Sequence, residues 1–306
     1  MLKSLLCIWV LSFNLADTEQ AYQTHLGYTS GERGYVTPEL AAEISRPELA
    51  GRSFLTMYPP SGPKVGVRFI ESDASAFYPM QRLGWSAIEI LVADTRSLAE
   101  DLGDSPFQRL AGPDYLTGAK NILAMQSLGP SRELLYLTHI IDPAKSFLVI
   151  PKSPTPVGHT FIMVLGTPDL GRSMSFFETH FDNSVKGPLP FKVEVLSDVY
   201  DLPSDYLHNL ALVTFADGFA FELDQYPEAA KPMPDKRNQR GGVVLVSASY
   251  DPSKLKRPLP WQNSNRRERH KTDRGVIILP SGAPLQLIPE AEAEAEAEAE
   301  AEDTVM

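Results

Sequence analysis

The sequence predicts an α+β protein built from four copies of one module, in which a strand and an amphipathic helix precede three further strands. Three observations carry this prediction. Each copy opens with an apolar, β-like run, and that run turns at an aspartate toward a helix. Each copy then closes on a short apolar strand with a polar residue at its middle. The closing strands are residues 67–69, 135–137, 221–223 and 285–287.

The first two modules follow this pattern over about residues 3–72 and 84–141. In the first module, we expect Asp17 to cap a helix that Gly27 ends. The same rules predict a helix at the start of the second module, after its opening strand. The other expected elements are a helix at 38–44, strands at 53–58 and 65–70, a helix at 95–102, and strands at 124–128 and 133–140.

The third module, residues 158–226, shows the pattern most clearly, whereas the fourth, residues 240–289, is eroded. The fourth module keeps an opening strand and a closing hairpin, but a polar, proline-containing stretch stands where its helix should be. We therefore expect that helix to be short or missing. The expected elements of the third module are a helix at 170–181 and strands at 191–196, 210–215 and 219–225.

Proline content and composition predict the domain boundaries. Residues 142–156 hold four prolines, which indicates a linker. This linker would separate an N-terminal two-module domain, residues 1–141, from a C-terminal two-module domain, residues 157–289. The Ala–Glu alternation within 290–306 is of low complexity and lacks a core-facing stripe, so we expect it to be disordered or a frayed helix.

The net charge of the chain gives no support for a nucleic-acid partner. The 306 residues carry a formal charge of −11, but eight acidic residues lie between 290 and 303, which leaves −3 for the rest. That balance gives no reason to expect a nucleic-acid surface, and the one basic run, residues 266–271, is expected to be a solvated loop. Because no stretch approaches the length of an apolar transmembrane helix, we expect no membrane partner either.

The N-terminal apolar run has two interpretations. Residues 1–16 combine one positive charge, an apolar stretch and a small residue, as a signal peptide would, and the protein would then be secreted. We favour the first strand of the first module, because a helix start follows the run in the same place as in the other copies. The single cysteine, Cys7, rules out an intramolecular disulfide and favours a reducing, cytoplasmic location.

This joint order of elements resembles the vicinal oxygen chelate superfamily, which includes glyoxalase I, bleomycin-resistance-type proteins and the extradiol dioxygenases. The resemblance covers residues 3–289, and four modules in one chain are most similar to the dioxygenases. It implies that modules pair into half-open, cup-like sheets, with metal ligands on the first and last strands of each module. Alternate strand residues face one side, so several strands can aim side chains at one point.

Carried onto this sequence, the family's ligand positions in the last two modules fall on His159, Glu222 and Gln286. Gly241 stands where the dioxygenases place a second histidine, and Gln286 stands where they place a glutamate. The resemblance therefore implies a weakly held divalent metal ion (Fe, Mn, Zn or Ni) or a metal-free site, in which His159 and Glu222 act as acid and base. His208, just before an apolar strand, resembles the dioxygenases' acid–base histidine.

Each of these residues also has a purely structural interpretation. His159 would be a backbone-bonded strand histidine, Glu222 an outward-facing glutamate, Gln286 a sheet glutamine and His208 a loop histidine. In the first two modules the ligand positions hold no metal-binding set, so that pair is expected to be metal-free. There, Arg68, Tyr136 and Glu89 either line a small polar pocket or are partly exposed sheet residues.

Two functions of different classes remain open at this point. The first is a glyoxalase- or dioxygenase-like enzyme, a dioxygenase, lyase or isomerase acting on a small aromatic or carbonyl substrate. The second is a non-catalytic protein that sequesters a small molecule, as the bleomycin-resistance type does. Family dimers join through sheets, but four modules in one chain remove that need, so a monomer and a homodimer are both compatible with the sequence.

Overall fold

The computed structural model describes residues 1–73, 79–116, 120–146, 148, 150, 152–230, 241–262 and 274–303. The basic run at 266–271 lies outside the described residues. The helices are α1 (Leu15–Leu26), α2 (Pro38–Glu43), α3 (Thr95–Asp101), α4 (Leu170–His180), α5 (Glu194–Val199) and α6 (Glu290–Asp303). The strands are β1 (Leu2–Ser12), β2 (Thr29–Tyr35), β3 (Ser53–Tyr58), β4 (Gly66–Glu71), β5 (Gly84–Val92), β6 (Gln108–Tyr115), β7 (Ile122–Leu128), β8 (Leu134–Ile140), β9 (Val157–Thr167), β10 (Ser184–Lys192), β11 (Leu207–Thr214), β12 (Ala220–Gln225), β13 (Gly242–Tyr250), β14 (Gly275–Ile278) and β15 (Pro284–Pro289).

The four-module α+β architecture is confirmed. Each of the first three modules runs strand, helix, strand, strand, strand, with α2 and α5 as short additions. In the fourth module, the described residues hold β13, β14, β15 and a single 3-10 turn at Pro252–Lys254 in place of the helix. The erosion predicted for this module is therefore observed in the part that the structure describes.

Some predictions of single elements were wrong: two exposed strands were not predicted, one strand was placed at the wrong residues, and the cap of one helix was assigned to the wrong residue. Strands β2 and β6 were not predicted, because β2 is exposed over most of its length and β6 has no buried residue, so both lack the apolar alternation that marks a strand. The strand expected at 191–196 is wrong, since β10 ends at Lys192 and α5 follows. The cap of α1 is Asn14, whose side chain accepts from the backbone N–H groups of Ala16 and Asp17, rather than Asp17 itself.

The pairing of modules differs from the predicted pairing of sequence neighbours. One sheet has the order β14-β15-β13-β1-β4-β3-β2 and joins the first module to the fourth; we call it the terminal sheet. The other has the order β10-β11-β12-β9-β5-β8-β7-β6 and joins the second module to the third; we call it the central sheet. The division into a 1–141 domain and a 157–289 domain is therefore wrong in its pairing. Local patterns specify strands but not their partners, because every strand offers the same main-chain donors and acceptors.

Each sheet is joined at its middle by two antiparallel first strands. In the terminal sheet, β1 pairs with β13, so that Cys7 lies opposite Ser247. In the central sheet, β5 pairs with β9, so that Glu89 lies opposite Ile162. The N-terminal run is thus an interior strand, with β13 on one side and β4 on the other, and the strand interpretation of this run is confirmed.

The two sheets pack on a common apolar core that contains Ile8 and Val10 of the terminal sheet and Ile88 and Met163 of the central sheet. Polar bridges reinforce this contact. The indole N–H of Trp85 donates to the Pro284 carbonyl oxygen at 2.7 Å, and Asn183 accepts from the Leu2 N–H at 2.7 Å. Among the described residues, no helix combines the length and apolar character needed to cross a membrane.

The tail that we expected to be disordered or frayed is described as helix α6 over Glu290–Asp303. Basic residues of the body hold it. Arg274 donates to Glu292 at 2.7 Å and to Glu296 at 2.5 Å, and Lys3 pairs with Glu290 at 3.1 Å. These ion pairs, rather than an apolar stripe, attach the helix to the terminal sheet.

Candidate functional site

A cavity lies on one face of the central sheet. Most of its lining side chains are apolar, including Phe161, Ile162 and Leu212. The polar exceptions at its floor include two carboxyl groups, those of Glu89 and Glu222. An apolar cavity with a few convergent polar groups is the usual form of a small-molecule site.

Strand register explains how these two carboxyls reach the same cavity. Glu89 on β5 lies opposite Ile162 of β9, and Glu222 on β12 lies opposite Val164 of β9. Because Ile162 and Val164 are two residues apart, they face the same side of the sheet, and so do the glutamates beside them. Strand β9 separates the glutamates, so their Cα atoms are roughly 10 Å apart in the pairing direction.

Burial controls the charge of Glu89. The side chain is 5% exposed, and burial together with the charge of Glu222 raises its pKa to about 8. The Thr138 hydroxyl donates to Glu89 Oε1 at 2.7 Å, which favours the ionised form and limits the rise. Glu89 is therefore mostly protonated at neutral pH and begins to ionise only slightly above it.

Glu222 has a second carboxyl beside it. Asp224 lies two residues further along β12, on the same face, and is fully buried. The Glu222 carboxyl is the side chain that hydrogen-bonds to the Asp224 carboxyl. Burial and the neighbouring Glu89 raise the pKa of Asp224 to about 7, and burial and Asp224 raise the pKa of Glu222 well above its ordinary value. Two adjacent buried carboxyls are stable when they share a proton, since one then donates to the other.

Together, Glu89, Glu222 and Asp224 form a buried group that holds protons at neutral pH and releases one near it. Such a group can donate a proton to a bound oxygen and accept one in return. The sequence identified Glu89 only as a lining residue of a small polar pocket or a partly exposed sheet residue, and it did not identify Asp224. The available signal was a glutamate at the centre of an apolar strand, as in Ile88–Glu89–Ile90, because a carboxyl buried on a sheet needs a reason to be there.

His159 does not share this cavity. Glu222 lies level with Val164 on β9, and His159 is five residues earlier, so the two Cα atoms are about 16 Å apart along the strand. The His159 ring lies against Gly62 and Phe219 instead; its centroid is 5.9 Å from that of Phe219. Burial lowers the pKa of His159 to about 4, so the ring is neutral at physiological pH.

His208 and Gln286 also lie apart from Glu222. His208 is on β11, where its Nε2 pairs with the Ser197 hydroxyl at 2.9 Å and its ring contacts Tyr206. Gln286 is on β15 of the terminal sheet, and it accepts a hydrogen bond from the Ser247 hydroxyl at 2.7 Å. Because module three does not pair with module four, the predicted set of His159, Glu222 and Gln286 is not assembled.

The residues at the cavity floor do not fit a divalent metal ion. Within the described ranges, no group of three His, Cys, Asp or Glu side chains is placed to hold one, whereas protein metal sites take three or four such ligands. Glu89 and Glu222 supply two carboxylates. The neighbouring phenol of Tyr136 is a poor third ligand, because burial raises its pKa well above the ordinary value and keeps it protonated. The chemistry of the floor is therefore that of its carboxyl groups.

Solved structures share this architecture over nearly the whole chain. Glyoxalase I from Zea mays superposes with a TM-score of 0.62 and 14% identity, covering 97% of this chain and 95% of its own. A putative dioxygenase from Bacillus subtilis superposes with a TM-score of 0.55 and 10% identity, covering 94% of this chain and 86% of its own. No family model and no curated protein matches the sequence. At these identities the likeness concerns the fold alone: the chain has the four-module fold of this glyoxalase I and of this putative dioxygenase.

Proposed function

We propose that the cavity of the central sheet is the active site of an enzyme that moves a proton on a small, largely apolar organic molecule bearing a carbonyl or hydroxyl oxygen. One observation carries the proposal: two carboxyls, the buried Glu89 and the half-buried Glu222, lie at the floor of a cavity that is otherwise mostly apolar. Perturbed carboxyls in a cavity are candidates for general acid and base. The fold, shared with a glyoxalase I and a putative dioxygenase, supports an enzyme.

The surroundings of the two glutamates assign their roles. Glu89 has a pKa of about 8 and accepts a hydrogen bond from Thr138, which stabilises its ionised form. Glu222 adjoins Asp224, whose charge favours the protonated form of Glu222. The hydrogen bond from Thr138 therefore favours the carboxylate form of Glu89, and the charge of Asp224 favours the carboxylic acid form of Glu222. Glu89 is then the base and Glu222 the acid.

These roles give a balanced proton-transfer step. The Glu89 carboxylate takes a proton from the carbon beside a substrate carbonyl, while the Glu222 carboxyl gives its proton to the carbonyl oxygen. A C–H bond breaks, an O–H bond forms, and the electron pair becomes the C=C bond of an enol. Return of a proton to a different carbon or face completes an isomerisation and restores both carboxyls. The apolar walls exclude water, which strengthens each of these charge interactions.

Hydrogen exchange tests the step before the true substrate is known. A panel of small aryl ketones and α-hydroxy ketones is incubated with the protein in D2O, and loss of the α-hydrogen is followed by NMR. Exchange should rise with pH through about 8 as Glu89 ionises. Glu89→Gln and Glu222→Gln should each slow it by about 100-fold or more. His208→Gln, outside the cavity, should exchange as the unmodified protein does.

A second function, sequestration without turnover, is favoured by the same protonated carboxyls. With a pKa of about 8, Glu89 is mostly protonated at neutral pH, and burial and Asp224 raise the pKa of Glu222 and so favour its protonated form. A protonated carboxyl donates a hydrogen bond, which suits both groups to hold a carbonyl ligand. Panel compounds that bind with no α-hydrogen exchange at any pH from about 5 to 10 would support sequestration and overturn the enzymatic proposal.

A further inference from the structure

A second cavity, of about 220 Å³, lies on the terminal sheet beneath α6. Its character is opposite to that of the central cavity. Three basic side chains line it, those of Lys64, Arg68 and Arg274, whereas Glu296 of α6 is the one acidic side chain among its described lining residues. A concave surface with three basic side chains favours an anion that can replace the carboxylate partners of those side chains.

Arg68 is held in place before any ligand arrives. Its guanidinium carbon lies 4.7 Å from the Trp9 ring centroid and 4.2 Å from the Phe54 ring centroid. Its Nε donates to the Thr56 hydroxyl at 2.8 Å, and a terminal nitrogen pairs with Glu32. The side chain is only 16% exposed. A guanidinium clamped by rings and by a hydroxyl loses little freedom when it binds a carboxylate.

Trp9 adds an unused donor. The residue is 4% exposed and lines the cavity, and its indole N–H has no hydrogen-bond partner in the structure. A buried donor without an acceptor costs about 1–3 kcal/mol, which an acceptor at this place would recover. Gln286 also lines this cavity. Its side-chain oxygen accepts from the Ser247 hydroxyl, so its amide NH2 group is the part that can donate to a ligand.

We propose that this terminal-sheet cavity binds a small organic carboxylate, with Arg68 and Trp9 as its principal contacts, and that α6 covers the site by placing its own carboxylates on Arg274. The apolar lining residues Leu6 and Ile288 match the carbon part of such a ligand. This site lies on a different sheet from Glu89 and Glu222 and does not depend on the proposed proton transfer.

Helix α6 is suited to be displaced by an anion. Ala293, Glu296 and Ala297 line the cavity, and Glu292 and Glu296 accept hydrogen bonds from Arg274. Glutamates four residues apart repel each other by a few tenths of a kcal/mol, and α6 has no basic residue to offset this. Its ion pairs with the body are partly exposed, so each contributes at most about 1 kcal/mol. A ligand carboxylate therefore competes with Glu296 for the same guanidinium.

Calorimetric titration of the full chain with benzoate, and with benzamide as its neutral counterpart, tests the site. Benzoate should bind at least about tenfold more tightly than benzamide. Removal of residues 290–306 should tighten benzoate binding about threefold to tenfold by uncovering Arg274. Arg68→Gln should weaken it at least about tenfold, whereas Arg33→Gln, which removes an exposed charge from the same module, should change it less than about twofold.

Tryptophan fluorescence gives a second readout that does not depend on affinity. Benzoate should change the emission of the full chain, and Trp9→Phe should remove most of that change although Trp85 and Trp261 remain. Thermal melts establish that each variant is folded. Equal binding of benzoate and benzamide by the full chain, or unaltered benzoate binding in folded Arg68→Gln, would overturn the carboxylate site. Unchanged affinity after removal of the tail would overturn the covering role of α6.

Discussion

Single residues buried against their chemical preference are the features that most distinguish this chain from an ordinary sheet protein. Glu89 and Asp224 are buried carboxyls on the central sheet, and Glu222 beside them is half-buried. In the unfolded chain such groups ionise near their ordinary pKa values, whereas in the folded chain Glu89 and Asp224 have pKa values of about 8 and about 7. Between the ordinary pKa values and these raised ones, the folded state therefore binds more protons than the unfolded state. The free energy of unfolding falls as pH rises through that interval.

This linkage predicts a measurable difference between two pH values. Together, Glu89 and Asp224 should make the free energy of unfolding, measured with urea, about 6 kcal/mol lower at pH 8 than at pH 5. In the folded chain each keeps its proton up to its raised pKa, and each pH unit in that range corresponds to about 1.4 kcal/mol. Asp224→Asn cannot ionise, so its free energy of unfolding should depend less on pH. Asp205→Asn, an exposed aspartate, serves as the control and should follow the unmodified protein. Equal slopes for Asp224→Asn and the control would contradict the assignment.

His159 offers a second residue-scale prediction, in which its role is packing. A β-carbon at Gly62 would lie 2.3 Å from His159 Nδ1, and Gly62 has a φ of +81°. Gly51 has a similar φ of +76° but nothing within 4 Å of such a carbon. Gly51→Ala should therefore cost only the backbone strain, about 1–2 kcal/mol, and Gly62→Ala should cost clearly more.

A double-mutant cycle isolates the contact between these two residues. In the background of His159→Ala, the additional cost of Gly62→Ala should fall to that of Gly51→Ala, because the ring that a new methyl group would meet is gone. The measurement is the free energy of unfolding of all four proteins of the cycle. Strictly additive values would show that the ring does not rest on Gly62.

The candidate site shows how far residue-level inference reaches from sequence. Glu222 was identified at a ligand position implied by the family resemblance, and it lies at the floor of a cavity in the structure. Its partners could not be found in this way. Glu89 is 133 positions earlier by the numbering of the chain, and only the pairing of β5 with β9 brings it to the same face. Distant neighbours in a sheet depend on register, which local patterns do not encode.

At the scale of elements, mutations can distinguish the observed cap of helix α1, Asn14, from the predicted cap, Asp17. Helix α1 begins after Asn14, whose side-chain oxygen accepts from Ala16 N at 3.0 Å and from Asp17 N at 3.2 Å. Asn14→Ala should lower the free energy of unfolding by about 1 kcal/mol. Asp17→Ala, which removes only a first-turn charge and its contact with Asn14, should lower it by about 0.5 kcal/mol. If Asp17→Ala lowered the free energy of unfolding more than Asn14→Ala, Asp17 would be the cap, as the sequence predicted.

Element prediction succeeded where burial imposes a period and failed where it does not. Strand β3 was placed at its observed bounds because most of its residues are buried. Strand β2 was missed because its residues are nearly all exposed and polar, and its pairing with β3 alone defines it. Helix α6 was misjudged for the converse reason, since ion pairs with Arg274 and Lys3 hold a segment that has no apolar face.

At the scale of the whole molecule, the order of modules in the chain is not their order in the sheets. The repeat and the fold class were available from the sequence, but the antiparallel pairing of β1 with β13 joins residues more than 230 positions apart. The terminal sheet therefore cannot form until both ends of the chain are present, whereas the central sheet is encoded by one contiguous stretch. This asymmetry has a direct consequence for fragments.

A fragment of residues 79–230 contains β5–β12, the complete central sheet, whereas a fragment of residues 1–141 has both middle strands, β1 and β5, without their antiparallel partners. Unpaired strands leave main-chain donors and acceptors and apolar side chains in water, and the small net stability of a folded chain is not enough to offset this cost.

Fragment 79–230 should show near-UV circular dichroism and a cooperative urea transition, at lower stability than the full chain because its contact with the terminal sheet is lost. Fragment 1–141 should show neither and should aggregate. A monomeric fragment 1–141 that unfolds cooperatively would mean that modules one and two pair with each other. The central sheet would then not form as described, and Glu89 and Glu222 would not share a cavity.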